Sequence, residues 1–457
     1  MARRGISKVT IGLNVIVAVG LAWAALISTP KRADAVPSFS RQTGLACSSC
    51  HTNPPELTPL GRTFKLNGYT MRGISSITAT SDKQKTSLSL LSILPLSAMM
   101  EISNTGLKTT ESGTQNWGSS VPQDSSLFLA GSYATHLGGF VQVTYDSQAD
   151  HFSWDNTDVR YSNNGKFAGK SLVYGVDINN NPTVEDLWND TPAWGFPWVA
   201  SPSAPSPAAA AVIDGTLAQD VAGLGAYAMW NDHLYAAGTV YTSSHLSQTL
   251  PNPGTGFQFN IQGAAPYWRA AYQQSFGNNY LEFGGYGMVL HSTPNAVTGP
   301  RDQFTDVAAD AQYERTLPKF RNNQFTLRGT YIHENQNLYA TFAAGGAAFV
   351  GHNLNTFRGS ATYHFGYHVS PTVEYFITDG TTDPTLYAPA PLTGSRTGSP
   401  RSQGFLANIS YWPVQNVRLA VQYTAYTQFN GSATNYDGSG RSASDNNSVY
   451  VHLGLIF

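Results

Sequence analysis

The clearest indication of the fold is the end of the chain, Val449-Tyr450-Val451-His452-Leu453-Gly454-Leu455-Ile456-Phe457. In an extended strand successive side chains point to opposite faces, so one face here carries Val449, Val451, Leu453, Leu455 and Phe457. The other face carries Tyr450, His452 and Gly454. The same period recurs in residues 417–424 and 325–331. It predicts sheets with one apolar and one polar face, which suits a soluble β-sandwich as well as a membrane barrel.

The connections between the strands favour the barrel. We expect about sixteen strands, near residues 93–107, 125–135, 139–148, 155–162, 167–178, 221–230, 234–243, 266–276, 280–291, 303–315, 322–334, 352–365, 368–378, 402–412, 416–427 and 445–457. Short links, such as 163–166 and 231–233, alternate with longer links rich in Gly, Pro, Ser, Asn and Thr. Short turns at one end and long loops at the other are typical of an outer-membrane barrel, with both termini on the periplasmic side. The final Phe457 resembles the assembly signal of bacterial outer-membrane proteins.

The composition agrees with strands that face lipid on one side and water on the other. Charged residues make up 12% of the 457 residues and aromatic residues also 12%, with 43 Gly, 24 Tyr and 22 Phe. A helical membrane protein would be more apolar than the mean hydropathy of -0.22. A soluble α/β protein would carry roughly twice the charge. The net charge of -2 gives no reason to expect nucleic acid as a partner.

The beginning of the chain predicts export. Residues 1–8 are basic, an apolar run covers about 11–27, and Ala33-Asp34-Ala35 offers a cleavage site for a signal peptide. The alternative is a retained membrane anchor. After residue 35 no uninterrupted apolar stretch approaches the roughly 20 residues that a spanning helix needs.

Both cysteines of the chain lie in one motif, Cys47-Ser48-Ser49-Cys50-His51. Two thiols at this spacing reach the two vinyl groups of a haem, and the adjacent imidazole binds its iron. The motif therefore predicts one covalent haem c, with Cys47 and Cys50 as the attachment points and His51 as the proximal ligand. The alternatives are a redox disulfide or half of a zinc site, although the next histidine is as distant as His136.

The sixth iron ligand stays open at this stage. Met71 is the only methionine between residues 36 and 80, and its thioether would raise the reduction potential. Met99 is a rival, because the alternation of the first strand turns it towards the lumen. An exchangeable sixth position is the third alternative.

The long link between the fifth and sixth strands, residues 179–220, is unusually aromatic, with Trp188 and Trp194-Gly195-Phe196-Pro197-Trp198. We expect it to fold inward and either narrow the lumen or cover the haem segment. The alternative is a rigid external flap.

The segment from Pro37 to His51, continued by residues 56–69, resembles the cytochrome segment of the fused outer-membrane monohaem cytochrome c–porins, a family that includes iron oxidases. Residues 180–183 and 192–197 also look familial. The resemblance implies an all-β transmembrane antiparallel barrel of about sixteen strands with a small c-type cytochrome segment lodged in its lumen. It divides the chain into a signal peptide (1–35), the monohaem cytochrome c segment (36–85) and an outer-membrane porin-like barrel (86–457).

The function implied by this resemblance is electron transfer across the outer membrane. The donor would be extracellular Fe(II), and the acceptor a periplasmic c-type cytochrome or copper protein. In the cytochrome segment, the candidate partners of the haem propionates are Arg41, Arg62 and Lys65. Phe39, Phe64 and Tyr69 are expected to pack on the porphyrin, and Pro54-Pro55 to form an extended exit. The alternatives are a diffusion porin with an appended haem domain for docking or sensing, and an electron conduit for another donor.

Overall fold

The computed structural model describes residues 37–71, 76–80, 87–91, 93–189, 200–217, 221–243, 260–294, 299–320 and 323–457. The expected signal peptide, 1–35, lies outside the described residues. A short hairpin of β1 (Ser76–Thr80) and β2 (Ser87–Leu91) precedes the barrel. The barrel strands are β3 (Leu96–Leu107), β4 (Gly118–Ser132), β5 (Leu137–Asp146), β6 (His151–Phe167), β7 (Lys170–Asn179), β8 (Val221–Trp230), β9 (Leu234–Ser243), β10 (Ala265–Phe276), β11 (Asn279–Ser292), β12 (Asp302–Leu317), β13 (Asn323–Asn337), β14 (Gly351–His364), β15 (Val369–Gly380), β16 (Ser402–Val414), β17 (Val417–Gln428) and β18 (Ser448–Ile456).

These sixteen strands form one closed antiparallel barrel, which confirms the predicted fold class. Each strand pairs with the next along the chain, and β18 closes the circle by pairing with β3, for example Val451 with Asn104. Closure gives every strand two neighbours, so no edge is left with unpaired backbone groups.

The α-helices of the described residues are short. They are α1 (Pro37–Thr43), α2 (Cys47–Cys50), α3 (Pro59–Leu66), α4 (Pro182–Glu185) and α5 (Tyr339–Ala343). Helix α3 begins at Pro59, because the Thr58 hydroxyl accepts the Gly61 backbone N–H and Pro59 occupies the first position. None of the helices that the structure describes is long and apolar enough to cross a membrane.

The two faces of the barrel wall differ in polarity. In β18 the side chains of Tyr450 and His452 point inward and are 2% exposed, whereas Val451 between them is 40% exposed. The outer wall carries many such exposed apolar side chains, including Leu224 and Val373. A closed barrel that is apolar outside and polar inside satisfies its backbone within lipid. The chain is therefore an outer-membrane β-barrel of bacterial type.

Two of the predicted strand boundaries are wrong, for local reasons. Strand β6 continues through the predicted link 163–166, and the chain turns instead at Ala168-Gly169, where both residues have positive φ. Strand β4 begins at Gly118, before the predicted residue 125. It contains Pro122, which lacks an N–H, but the pairing with β3 is irregular between Glu101 and Ser103, and Pro122 lies opposite that irregularity.

Candidate functional site

Residues 37–71, here called the plug, lie inside the barrel at the end with the short turns. The Ser38 hydroxyl donates to the Ala130 carbonyl on β4 (2.6 Å). Arg62 pairs with Glu314 on β12 (2.7 Å). The Trp412 indole on β16 donates to Asn53 (3.2 Å). Strands β4, β12 and β16 lie on different sides of the barrel, so the plug reaches across the lumen.

The plug has a small aromatic core of its own. Phe39 stacks on Tyr69 with ring centroids 5.5 Å apart, and Phe64 meets both rings edge-on. The Tyr69 ring also packs on Phe140 of β5, and its hydroxyl donates to Asp158 of β6 (2.6 Å). These contacts fix the plug to the wall. The expected contact of the three rings with a porphyrin stays a prediction.

The haem motif forms one helical turn that follows α1 in the plug. Cys47 and Cys50 begin and end α2, and residues three apart lie on one face of a helix. The Cys47 backbone N–H donates to the Gln415 side chain in the turn between β16 and β17 (2.7 Å). Burial raises the pKa of the Cys50 thiol. The two thiols are not joined in a disulfide.

Helix α3 packs directly behind this turn. A Cβ atom at Gly61 would collide with the carbonyl oxygen of Cys50. Glycine is therefore needed at position 61 for α3 to approach the haem motif this closely.

His51 has the geometry that a haem ligand needs. Its Nδ1 lies 3.1 Å from the carbonyl oxygen of Glu56. A carbonyl can only accept, so Nδ1 carries the proton and Nε2 keeps the lone pair that can bind iron. Burial lowers the pKa of His51, which keeps the imidazole neutral. In a metal-bound histidine the ring nitrogen that does not bind the metal usually donates its N–H to a carbonyl or carboxylate. His51 has this arrangement, so these residues fit a haem.

The loop that follows the motif differs from the prediction. Residues 52–56 do not form an extended exit at Pro54-Pro55. The Thr52 hydroxyl donates to the Glu56 carboxylate (2.9 Å), and the Glu56 N–H donates to the Asn53 carbonyl (2.9 Å). These hydrogen bonds close the loop, and His51 and Leu57 then pair as an isolated bridge. The closed loop is what brings the Glu56 carbonyl to His51.

The structure does not select between the two candidate sixth ligands. Met71 follows the aromatic core and is 39% exposed. Met99 lies on β3 with the same orientation as the buried Ser97, towards the lumen. The hydrogen bonds of His51 join it to Cys47 and Glu56 and do not favour either methionine. Ligation by Met71 or Met99 stays a prediction.

The candidate propionate partners have protein partners. Arg41 donates to the Leu96 carbonyl. Besides pairing with Glu314, Arg62 lies over the ring of Tyr280, 4.1 Å from its centroid. The Lys65 ammonium group donates to the Asp186 carbonyl (2.6 Å) and the Asn189 side chain (3.1 Å). These contacts hold the plug in place, and the propionate roles stay predictions.

The described part of the aromatic segment folds inward, as predicted, so these residues do not form an external flap. We call residues 180–189 and 200–217 the inner loop; Trp194, Phe196 and Trp198 lie outside the described residues. Trp188 is 1% exposed, and its indole donates to the Tyr280 hydroxyl (2.6 Å). Asp186 pairs with Arg269 on β10 (2.9 Å).

The inner loop both crosses the lumen and covers the plug. The Asn189 side chain donates to the Pro55 carbonyl of the plug (3.1 Å). Further along, the Val212 and Ile213 backbone N–H groups donate to Glu334 (2.6 Å) and Asp306 (3.1 Å) on the wall. The sequence left two alternatives open for this segment, narrowing the lumen and covering the haem segment. The described residues of the inner loop do both.

The charged side chains of the wall that hold these insertions were missed by the sequence reasoning. Arg269 is 1% exposed and joins Asp186 of the inner loop to Glu282 and Asp310 of the wall. The strand position of Arg269 could have indicated its role. It alternates with outward-facing residues and shares the lumen-facing side of β10 with Tyr267 and Ala271. A charge at a lumen-facing strand position indicates a polar partner inside the barrel.

Comparison with known proteins finds similar chains among the solved structures. No protein-family model matches the chain, and no curated protein matches it. Among solved structures it is similar to the outer membrane channel DcaP of Acinetobacter baumannii, with 11% identity, a TM-score of 0.45 and coverage of 79% of this chain and 96% of that chain. It is also similar to Salmonella typhi OmpF in complex with daunomycin (13%, TM-score 0.47, 79% and 97%). An anion-selective porin from Comamonas acidovorans is similar as well (12%, TM-score 0.43, 79% and 98%).

Proposed function

We propose that the protein carries electrons across the outer membrane through one haem c attached to its plug. The observation that carries the proposal is the position of the Cys47–His51 motif, on a folded segment that contacts strands around the lumen. A haem appended for docking or sensing would not require the plug to lie in the lumen and to contact the barrel wall on several sides. The resemblance to the fused cytochrome–porins supports the same function.

The residues of the plug have distinct roles in this proposal. Cys47 and Cys50 hold the haem covalently, and His51, oriented by the Glu56 carbonyl, binds its iron. When bound, the haem supplies reversible one-electron chemistry. The inner loop covers the plug through Asn189 and Lys65 and limits the access of bulk water from the extracellular side.

Fe(II) is the donor that we propose, with a periplasmic c-type cytochrome or copper protein as acceptor. This assignment rests on the family resemblance. Iron oxidation outside the cell leaves the poorly soluble Fe(III) product there, so only electrons need to cross. Another extracellular reductant is the alternative within the same mechanism.

A diffusion porin is the second candidate, and the barrel architecture favours it. A sixteen-strand barrel has room for an aqueous channel. The plug and the inner loop oppose it, because both place side chains across the lumen. The two functions differ in ion conductance, which an open porin must show and a plugged barrel must not.

The proposal is tested on the purified full-length protein in detergent. Its haem spectrum is recorded under anaerobic conditions before and after Fe(II) is added, and then after dithionite. We expect Fe(II) to reduce the haem. A haem that dithionite reduces and Fe(II) leaves oxidised over the pH range of protein stability would exclude Fe(II) as the donor.

Covalent attachment is tested by Cys47→Ala and Cys50→Ala, with Ser48→Ala as a matched control in the same helical turn. Haem staining after denaturing electrophoresis is expected for the wild type and Ser48→Ala. It should be lost when both cysteines are replaced. Staining that survives the double replacement would disprove attachment at this motif.

A further inference from the structure

A concave site lies on the outer surface of the barrel, at the rim with the long loops. Its volume is about 550 Å³, and its polar lining includes Gln262, His291, Arg301, Gln303, Asn337 and Tyr339. It is remote from the plug, which occupies the opposite end. We call these six side chains the rim site.

The floor of the rim site is one row of the sheet. His291 pairs with Gln303, and Gln303 pairs with Asn337, across three neighbouring strands. The flanking residues Ser292, Asp302 and Leu338 are buried, whereas Gln303 and Asn337 are exposed. By the alternation of a strand, the row therefore points away from the lumen, towards the surroundings of the barrel.

This row lies just above the apolar belt. Val307, on the outer face of β12, is 52% exposed and typical of a lipid-facing residue. Four residues along the tilted strand correspond to a height of about 10 Å. Gln303 is thus about one headgroup layer beyond Val307, at the level of the polar part of the outer leaflet.

The chemistry of the rim site suits a phosphorylated sugar. Three amide side chains can pair with neighbouring hydroxyl groups, the Tyr339 ring offers a flat apolar surface, and Arg301 can bind a phosphate. Asp302, next to Arg301 in sequence, is turned inward and accepts the Ala340 and Thr341 backbone N–H groups (2.7 and 3.1 Å). The acid next to Arg301 in sequence is thereby kept away from an anionic ligand.

We propose that the rim site binds the phosphorylated saccharide headgroup of an outer-leaflet glycolipid. The acyl chains of the glycolipid would lie along the apolar wall below, near Val307. This inference uses the barrel and its orientation and does not depend on electron transfer. It assigns the outer rim of β11–β13 as the contact with the glycolipid.

The test uses the full-length protein in detergent and a short-chain lipopolysaccharide as the probe, with the bound fraction measured by native mass spectrometry. The variant is Arg301→Gln combined with Gln303→Ala. The matched control is Arg315→Gln, an exposed arginine on the same strand at the opposite rim. Loss of one charged and one neutral hydrogen-bonding group should weaken binding about tenfold or more. The control should bind like the wild type.

Two results would overturn the proposal. The first is equal binding by the wild type and the double variant, once both show the heat-dependent electrophoretic migration of a folded barrel. The second concerns the source of the ligand: a soluble phosphorylated glucosamine disaccharide, offered without lipid, should bind far more weakly than the lipopolysaccharide. Equal affinity for the soluble sugar would show that the site takes a free phosphosugar and not a membrane lipid.

Discussion

Replacing Arg62 by Met should release the plug from the lumen. Arg62 is 3% exposed and joins three parts of the structure. Its guanidinium pairs with Glu314 on β12, donates to the Leu57 carbonyl (2.8 Å) and stacks on the Tyr280 ring. Methionine has a similar length and keeps much of the apolar contact, but it leaves the Glu314 carboxylate buried without its cation.

The magnitude follows from the burial of both partners. The two side chains are 4% and 7% exposed, so the ion pair is screened little by water. Removing one partner of such a pair costs about 3–5 kcal/mol, which corresponds to a shift of about two to three and a half orders of magnitude in the docking equilibrium. Gln324 also donates to Glu314 (3.2 Å), which places the expected effect towards the lower end of the range.

Ion conductance in planar bilayers measures the release. The wild type should conduct poorly, and Arg62→Met should show more frequent openings, of a channel that the inner loop still narrows. Arg315→Met, on the outer face of β12, is the control for loss of an arginine and should behave like the wild type. Equal conductance of Arg62→Met and the wild type, with both barrels folded, would refute the role of Arg62 in closing the lumen.

Three further predictions concern the haem motif and the inner loop. Gly61→Ala should lower the haem content without lowering the amount of folded barrel, because its Cβ would push α3 away from Cys50; normal haem content would contradict the close packing. Burial, with Asp177 nearby, raises the pKa of Glu185 from 4.5 to about 8, so the folded protein holds a proton there that the unfolded chain releases. The stability contributed by this proton is complete below pH 4.5 and is lost as the pH rises to about 8. The thermal unfolding temperature should therefore fall over this pH range, and Glu185→Gln should make the fall smaller. An unchanged pH dependence in the variant would rule out Glu185 as its source. Trp188→Phe leaves the Tyr280 hydroxyl without its buried donor and should destabilise the inner loop by about 1–3 kcal/mol; limited proteolysis of the loop, no faster than in the wild type, would contradict this.

The barrel could be predicted well wherever side chains alternate strictly and the turn is short. Strands β8 and β9, at 221–230 and 234–243, have the predicted bounds, because their periods are clear and Asn231-Asp232-His233 separates them. The prediction failed where a strand continues through polar, mostly exposed residues, as at the end of β6, since a run such as 163–166 has the composition of a turn. The β1–β2 hairpin, with strands of five residues each, was not anticipated.

The candidate site was predictable in its chemistry but not in its setting. The motif Cys47–His51 is local, so its spacing alone predicts the haem. The partners of the plug are distant: Arg62 and Glu314 are 252 residues apart, and no periodicity relates them. The closed loop at Pro54-Pro55 could not be foreseen either, because it depends on hydrogen bonds between Thr52 and Glu56 that form only in the folded segment.

Transfer of electrons through the closed barrel into a sealed vesicle tests the central claim most directly. The full-length protein is reconstituted into liposomes that contain an oxidised soluble c-type cytochrome, and Fe(II) is added outside under anaerobic conditions. We expect that the trapped cytochrome is reduced with the wild type and stays oxidised when both Cys47 and Cys50 are alanine. Equal reduction with both proteins, or none with a wild type that carries haem, would contradict it.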